Sequence, residues 1–211
     1  MECKPANPRD SYHVGNLAAQ LLGEARRMLE QVGSTKLSMR ALCAALGVTP
    51  TAAYHHFKNR ADLLAELASQ GFNELAAVLE QTNSHLPMRD KIRGFCVTYL
   101  DFARCNPALY QLMFGPDIAV ENMPKHLLEA RESAFNTLES MVAELLKQPL
   151  NSPEVRSAAL ASWSYIHGLT ALLIHQVLQR PITMTDQQIV ERTLAGLELL
   201  FKAQATVSSQ H

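Results

Sequence analysis

An all-α fold of about nine helices is what this sequence predicts, and three observations predict it. Apolar residues recur at spacings of three and four along nearly the whole chain, and no convincing run alternates with the period of two that a half-buried strand requires. Ser, Thr, Asn or Pro stands at the head of successive apolar stretches, and Gly or Pro stands at their ends. Of the 211 residues, 47% are apolar and 18% charged, a balance that can bury a real core.

The elements follow in order. Val14, Leu17, Leu21, Met28 and Val32, flanked by Ala18, Leu22, Ala25 and Leu29, form one stripe that is expected to stop at Gly33. Ser38 is a fitting N-cap for a short helix from Met39 to Leu46, closed by Gly47. Thr49 caps the next, whose first residue is Pro50, where a missing N–H costs nothing. Asn59 starts a fourth helix running towards Ser84, with Asp62 three residues on as in a capping box.

Behind it, Pro87 opens a helix that Asn106-Pro107 breaks near Cys105, and Ala108 to Phe114 forms a short one ended by Gly115-Pro116. Pro124 begins a helix reaching about Lys147, Ser152-Pro153 starts another that ends before Pro181, and Thr185 caps a last one through about Ala203, with Gln204 to His211 expected to fray. Four helices form the head and five lie behind it. The expected division is 1–65 for a DNA-binding unit and 66–211 for a ligand-binding and dimerisation unit, with the fourth helix joining the two.

The net charge of −1 conceals an asymmetry. Residues 1–65 carry eight Lys/Arg against five Asp/Glu, net +3, while the rest carries eleven against fifteen, net −4. A basic head suits DNA at one end. Cys3, Cys43, Cys96 and Cys105 are scattered with no metal-ligand spacing, which reads as reduced thiols in a cytoplasmic protein. No stretch approaches the roughly 18 consecutive apolar residues of a membrane span, so no membrane partner is expected. No HExxH, phosphate loop or nucleophile elbow appears, and the adjacent His55-His56 point about 100° apart on a helix. Neither a catalytic site, a metal nor a cofactor is expected.

Two short helices joined by a tight turn are suited to set the second in the major groove. Met39, Leu42, Cys43 and Leu46 face inward, and Val48 and Phe57 pack back on the head. Pro50, Thr51, Tyr54 and His55 remain outward on the second helix, and Arg40 outward on the first. Taken alone, this pattern fits a recognition helix or an ordinary surface helix with a histidine pair.

The residues Gly47-Val48-Thr49 followed by Tyr54-His55-His56-Phe57-Lys58-Asn59-Arg60-Ala61-Asp62-Leu63-Leu64 resemble the signature of the TetR family of transcription regulators, with Ala53 where that family usually has leucine. The resemblance implies that Thr49, Thr51, Tyr54 and His55 face DNA, with His56 and Arg60 near its backbone. Threonine hydroxyls and Tyr54 can independently reach phosphates, and Thr51 and His55 are candidates for base edges. Trp163-Ser164-Tyr165-Ile166-His167-Gly168 is similar to the Trp-x-x-x-His-Gly motif of one TetR C-terminal subfamily, as is Asn106-Pro107-Ala108-Leu109-Tyr110 with Met113-Phe114. Trp163 and His167 share a helix face. They read either as a core tryptophan beside a hydrogen-bonded histidine or as part of an effector cavity with Tyr99, Phe102, Tyr110, Met113 and Phe114.

Ile189, Thr193, Leu197 and Leu200, flanked by Val190, Leu194 and Phe201, form the expected dimer face on the last helix, with Ala158, Ala159 and Ala161 on the helix before it. The reading is a homodimeric repressor of a palindromic double-stranded operator, released by a small apolar or amphipathic effector. Two rivals remain: an enzyme, and a regulator switched by a protein partner or by oxidation at Cys96 and Cys105.

Overall fold

The computed structural model describes residues 16–81, 87–118, 123–178 and 183–208, with side chains through 199. Nine helices, and no strand, occur among the described residues. They are α1 (Leu17–Lys36), α2 (Met39–Leu46), α3 (Pro50–Tyr54), α4 (Arg60–Glu80), α5 (Met88–Cys105), α6 (Pro107–Phe114), α7 (Lys125–Leu146), α8 (Pro153–Ile174) and α9 (Asp186–Ser208).

Side-chain caps set most of the boundaries in the head. The Ala19 amide donates to Asn16 Oδ1 (3.2 Å), Ala41 to Ser38 Oγ (3.2 Å), and Ala52 to Thr49 Oγ1 (3.3 Å). At α4 the capping is reciprocal: the Asp62 amide donates to Asn59 Oδ1 (2.9 Å) and the Lys58 amide to Asp62 Oδ2 (3.1 Å). Gly47 closes α2 with φ 67°, a left-handed conformation that costs glycine little. Thr185 and Gln188 cap the start of α9 in the same reciprocal way.

The regular helix of α1 stops at Gly33 as expected, where the backbone is non-helical (φ 76°, ψ 168°), and a further helical turn carries the element to Lys36. One boundary differs from expectation: the last helix runs through Ser208 rather than fraying from Gln204.

One continuous apolar core reaches from Leu21 in α1 to Val190 in α9. Helix α4 is its spine. Leu63, Leu64 and Leu67 are fully buried in its first turns, and Phe72 is fully buried further on, where α6 and α7 cover it. Gly71 is the point of closest approach between α4 and α6, since a Cβ built there would lie 2.7 Å from Met113 Sδ and 2.9 Å from Leu109 Cδ2. That fit explains a glycine inside a helix, where it otherwise costs about 1 kcal/mol relative to alanine.

The rear helices correct two readings. Ile189 and Val190, expected at a dimer face, are buried within the chain against α5, and Thr193 is bonded to the Tyr165 hydroxyl. Leu200 and Phe201 lie outside the described side chains. On α8 and α9, the large apolar side chains that face outward among the described residues are Leu160 and Leu172 (57% and 41% exposed) and Leu199 (69%), and α7 adds Leu128, Leu145 and Leu146. Helix α8 is also long and apolar enough to cross a membrane by length and composition alone, although only 22% of that window is buried in the chain. Cys43 and Cys96 are free and buried, whereas Cys105 is disulfide-bonded, so the expectation of four reduced thiols fails at Cys105.

Candidate DNA-binding face and effector box

Capping leaves the outer surface of the head polar. Arg40, Thr49, Pro50, Thr51, Tyr54, His55, His56 and Lys58 are all exposed, on α2, α3 and the turn after it. Ala53, on the opposite side of α3, is fully buried, as is most of Phe57. A small residue at position 53 therefore seats the helix close against the head. Thr49 uses an oxygen lone pair to cap α3, which leaves its hydroxyl hydrogen free to donate outward.

Arg60 is placed differently from the other sequence-predicted contacts. Its Nε donates to the Leu37 carbonyl (2.8 Å) and its Nη2 to the Ser34 carbonyl, tying the start of α4 to the end of α1. The half-buried guanidinium supplies a partner to the Leu37 carbonyl and shares that of Ser34, which also accepts from the Leu37 amide at 3.1 Å. Arg60 is thus a structural tie as well as a residue expected near the DNA backbone.

In the rear unit, five of the seven predicted ligand residues meet. Tyr99 (α5), Tyr110 and Phe114 (α6), and Trp163 and His167 (α8) form one aromatic box. Tyr110 stacks on His167 at 5.7 Å, and Phe114 lies 4.6 Å from His167 and 6.2 Å from Trp163 between ring centroids. The Tyr110 hydroxyl is 2.7 Å from His167 Nδ1, the Tyr99 hydroxyl 3.1 Å from that atom and 3.2 Å from Tyr110, and Trp163 Nε1 donates to Tyr99 at 3.3 Å. Burial pushes the Tyr99 phenol up to about 12, raises that of Tyr110, and lowers the imidazole of His167. The surroundings therefore disfavour charge of either sign.

The remaining two predicted residues are elsewhere. Met113 packs against Gly71 of α4. Phe102 is buried on α5 without a ring contact to the box, and its carbonyl accepts from Asn106 Nδ2 (2.9 Å). Sequence reasoning missed Phe72 and Phe135, which close the box at 5.2 Å from Phe114 and 5.1 Å from Trp163. Phe72 reads from its helical spacing only as core, and nothing in the sequence singles out Phe135. The space that Phe72, Phe95, Tyr99, Phe135 and Trp163 help to enclose is about 10 Å³, roughly what one water needs. A larger cleft of about 440 Å³ opens between α5, α8 and the start of α9, where Arg104 pairs with Asp186 at 2.7 Å beside Leu100, Leu173 and Ile174.

A polar link joins the two regions, and sequence reasoning did not foresee it. Glu30 of α1 accepts from the Ala108 and Leu109 amides (3.3 and 3.2 Å) at the start of α6. A carboxylate there satisfies two orphan N–H groups and meets the positive end of the helix dipole. Arg26, one turn earlier, holds Glu74 of α4 through both nitrogens (3.3 and 3.2 Å) and Asn106 Oδ1 at 2.9 Å. Ser34 Oγ donates to Asp117 Oδ2, just past α6, at 2.8 Å. Only Asn106-Pro107 was visible beforehand as a helix start; its partners lie some eighty residues away.

Comparison with known proteins agrees with this arrangement. Residues 21–67 match the family model of bacterial regulatory proteins of the tetR family, and residues 92–197 match that of the tetracyclin repressor-like C-terminal domain. The HTH-type transcriptional regulator Rv1816 of Mycobacterium tuberculosis is 24% identical over 132 residues, which is 58% of this chain and 53% of that protein. The HTH-type transcriptional repressor Rv1474c of the same species is 30% identical over 97 residues, 44% of this chain and 52% of that protein. The chain thus spans about half the length of the curated relatives it matches. A solved protein of unknown function from Rhodococcus sp. RHA1 superposes with a TM-score of 0.73 at 27% identity, covering 88% of this chain and 95% of that one.

Proposed function

The chain belongs to the TetR family of DNA-binding transcription regulators, a family of regulators rather than enzymes, and on that footing we propose a cytoplasmic, homodimeric repressor that a small apolar or amphipathic effector releases from a palindromic operator. The observation that carries the proposal is the polar link from α1 to α6. The box lies on α6, the operator face lies on the head, and Glu30 holds the first turn of the one against the other. An effector needs different affinities for two positions of α6 to shift the head. A box with so little free space must open to admit it, which supplies that difference. One relative is itself named a repressor, which favours repression over activation.

The division at residue 65 stands as a functional one, since α4 runs through both units. Thr51 and His55 are the proposed base contacts, with Arg40, Thr49, Pro50, Tyr54 and His56 around them. Trp163, His167 and Gly168 are assigned to the Trp-x-x-x-His-Gly type of C-terminal domain. Dimerisation is assigned to α8 and α9 through Leu160, Leu172 and Leu199. Among the described residues no other element comes within 4 Å of a Cβ built at Gly168, which leaves that stretch of α8 room for a second copy.

A second reading sets the effector in the cleft beside Arg104 and Asp186, whose volume suits a drug-sized ligand without rearrangement. The test selects bound duplexes from a random pool, then titrates candidate effectors with and without the selected operator. A two-fold-symmetric operator is expected, together with weaker effector binding when the operator is present. An asymmetric single site would refute the dimeric reading. Effector affinity that ignores the operator would refute the release mechanism.

A further inference from the structure

The polar groups of the aromatic box can all be satisfied together only when Nδ1 of His167 is bare. Trp163 Nε1 is a donor without an acceptor lone pair, so its hydrogen lies on the Tyr99 oxygen. If His167 carried its proton on Nδ1, that nitrogen would donate to Tyr110, and Tyr110 would donate to Tyr99. The Tyr99 hydrogen would then have no acceptor among its three neighbours, Trp163, Tyr110 and His167. The same conflict arises with a doubly protonated ring. With Nδ1 bare, every hydrogen finds an acceptor: Trp163 donates to Tyr99, and the hydroxyls run either from Tyr99 to Tyr110 to Nδ1 (2.7 Å) or from Tyr110 to Tyr99 to Nδ1 (3.1 Å). An orphaned buried donor costs about 1–3 kcal/mol, so the bare Nδ1 is the state populated.

In either order the bare Nδ1 fixes the other side of the imidazole. The hydrogen is on Nε2, and that atom makes no hydrogen bond among the described residues. The His167 side chain is only half-buried. The relay thus leaves a single unpaired donor, and the rings of Phe72, Phe114 and Phe135 around it contribute only carbon. The guanidinium of Arg131 lies over the Phe72 ring at 5.8 Å from its centroid, and that of Arg156, over Phe135 at 4.5 Å, is paired with Glu139.

We propose that the effector is an uncharged molecule bearing a hydrogen-bond acceptor, a carbonyl- or ether-type oxygen on an apolar body, taken by the Nε2–H of His167. The inference rests on the reading of the box as the effector site. It makes His167 the specificity-determining residue. A carboxylate would meet aromatic walls with no cation in the polar cluster. An ammonium group would meet a donor where it needs an acceptor.

Trp163 is the sole tryptophan of the chain, so its emission reports the box directly. The probes are acetophenone, ethylbenzene, benzoate and benzylamine, titrated against the wild-type protein and a His167→Phe variant. The acetophenone-to-ethylbenzene affinity ratio is expected to fall roughly fivefold on substitution, the worth of one neutral hydrogen bond, and benzoate and benzylamine are expected to bind more weakly than the ketone. An unchanged ratio, or tighter binding of either ion, overturns the inference while leaving the box a ligand site. Silence of Trp163 towards all four probes overturns the box itself, and the inference with it. If the variant does not fold, nitrogen-15 spectra of the wild-type imidazole decide: an Nε2–H tautomer is expected, and an Nδ1–H tautomer overturns the relay.

Discussion

The head and the rear box place functional side chains in opposite surroundings. On the head, the residues assigned to DNA are exposed, and the helices that carry them are held by caps such as Ser38, Thr49 and Asn59. In the rear, the assigned residues are themselves core: Tyr99 and Tyr110 are almost wholly buried. Removing an exposed head side chain that caps no helix, such as His55, should therefore alter binding and leave folding nearly intact. Removing one from the box should alter both. Specificity on a surface is separable from stability, and specificity inside a core is not.

The comparison breaks where the two regions share a part, and there the largest effect is expected. Phe72 is fully buried on α4 and packs edge-on to Phe114 at 5.2 Å. Phe72→Ala should lose about 3–5 kcal/mol, the usual cost of such a truncation. Chemical denaturation would measure it. A loss under 1 kcal/mol would mean that the box collapses around the gap and α4 is no rigid spine. Arg60→Ala is the next test, because it separates a structural tie from a phosphate arm. Loss of its bonds to the Ser34 and Leu37 carbonyls should cost about 2 kcal/mol of stability. Weakened DNA binding with unchanged stability would return Arg60 to the phosphate class.

The same contrast explains what was legible in the sequence. Caps are local: Ser38, Thr49, Asn59 and Thr185 stand within four residues of the amides they satisfy, so their pattern announces them. Outward positions on α3 follow from its pairing with a buried Ala53. The box is only half legible. Tyr99, Tyr110, Trp163 and His167 carry polar atoms that need partners, and this marks them, whereas Phe72, Phe135 and the misassigned Phe102 differ only in where tertiary packing directs a ring. Periodicity likewise shows that α9 has an apolar stripe without saying which partner covers it, and Ile189 and Val190 proved to face their own α5. Glu30 and the α6 amides are invisible for a plainer reason: no local rule links residues 78 and 79 apart.

A third prediction sharpens the surface side of the comparison. His55→Ala should cost roughly 1.5 kcal/mol, about tenfold, on the true operator, and little on random DNA. Fluorescence anisotropy on both duplexes measures the difference, and equal losses would make His55 a backbone contact. Its stability should hardly change, since His55 is exposed. Asn59→Ala should instead cost about 1 kcal/mol of stability through the lost cap of α4. Thermal unfolding is the check, and an unchanged midpoint would mean that Asp62 holds that turn alone.

The smallest effect is one of pH, and it belongs to the box. Burial lowers the His167 imidazole from its ordinary value of 6.5. The unfolded chain therefore binds a proton there before the folded chain does, and stability falls as pH drops from 6.5 towards the lowered value. Burial raises the Tyr99 and Tyr110 phenols from their ordinary 10.0. Unfolded phenols then ionise first, and stability falls again as pH climbs above 10.0. The groups that face His167 from α5 and α6 are these two phenols, neither of which is ionised near neutrality, so no opposite charge offsets the imidazole. The relay is thus most stable between those limits. Urea midpoints for wild type and His167→Phe should converge as pH falls from 7 to 5, because only the wild type carries the imidazole. A gap that stays constant would mean that the folded box accommodates imidazolium. The relay would then not require a neutral ring, and the unpaired Nε2–H would lose its basis.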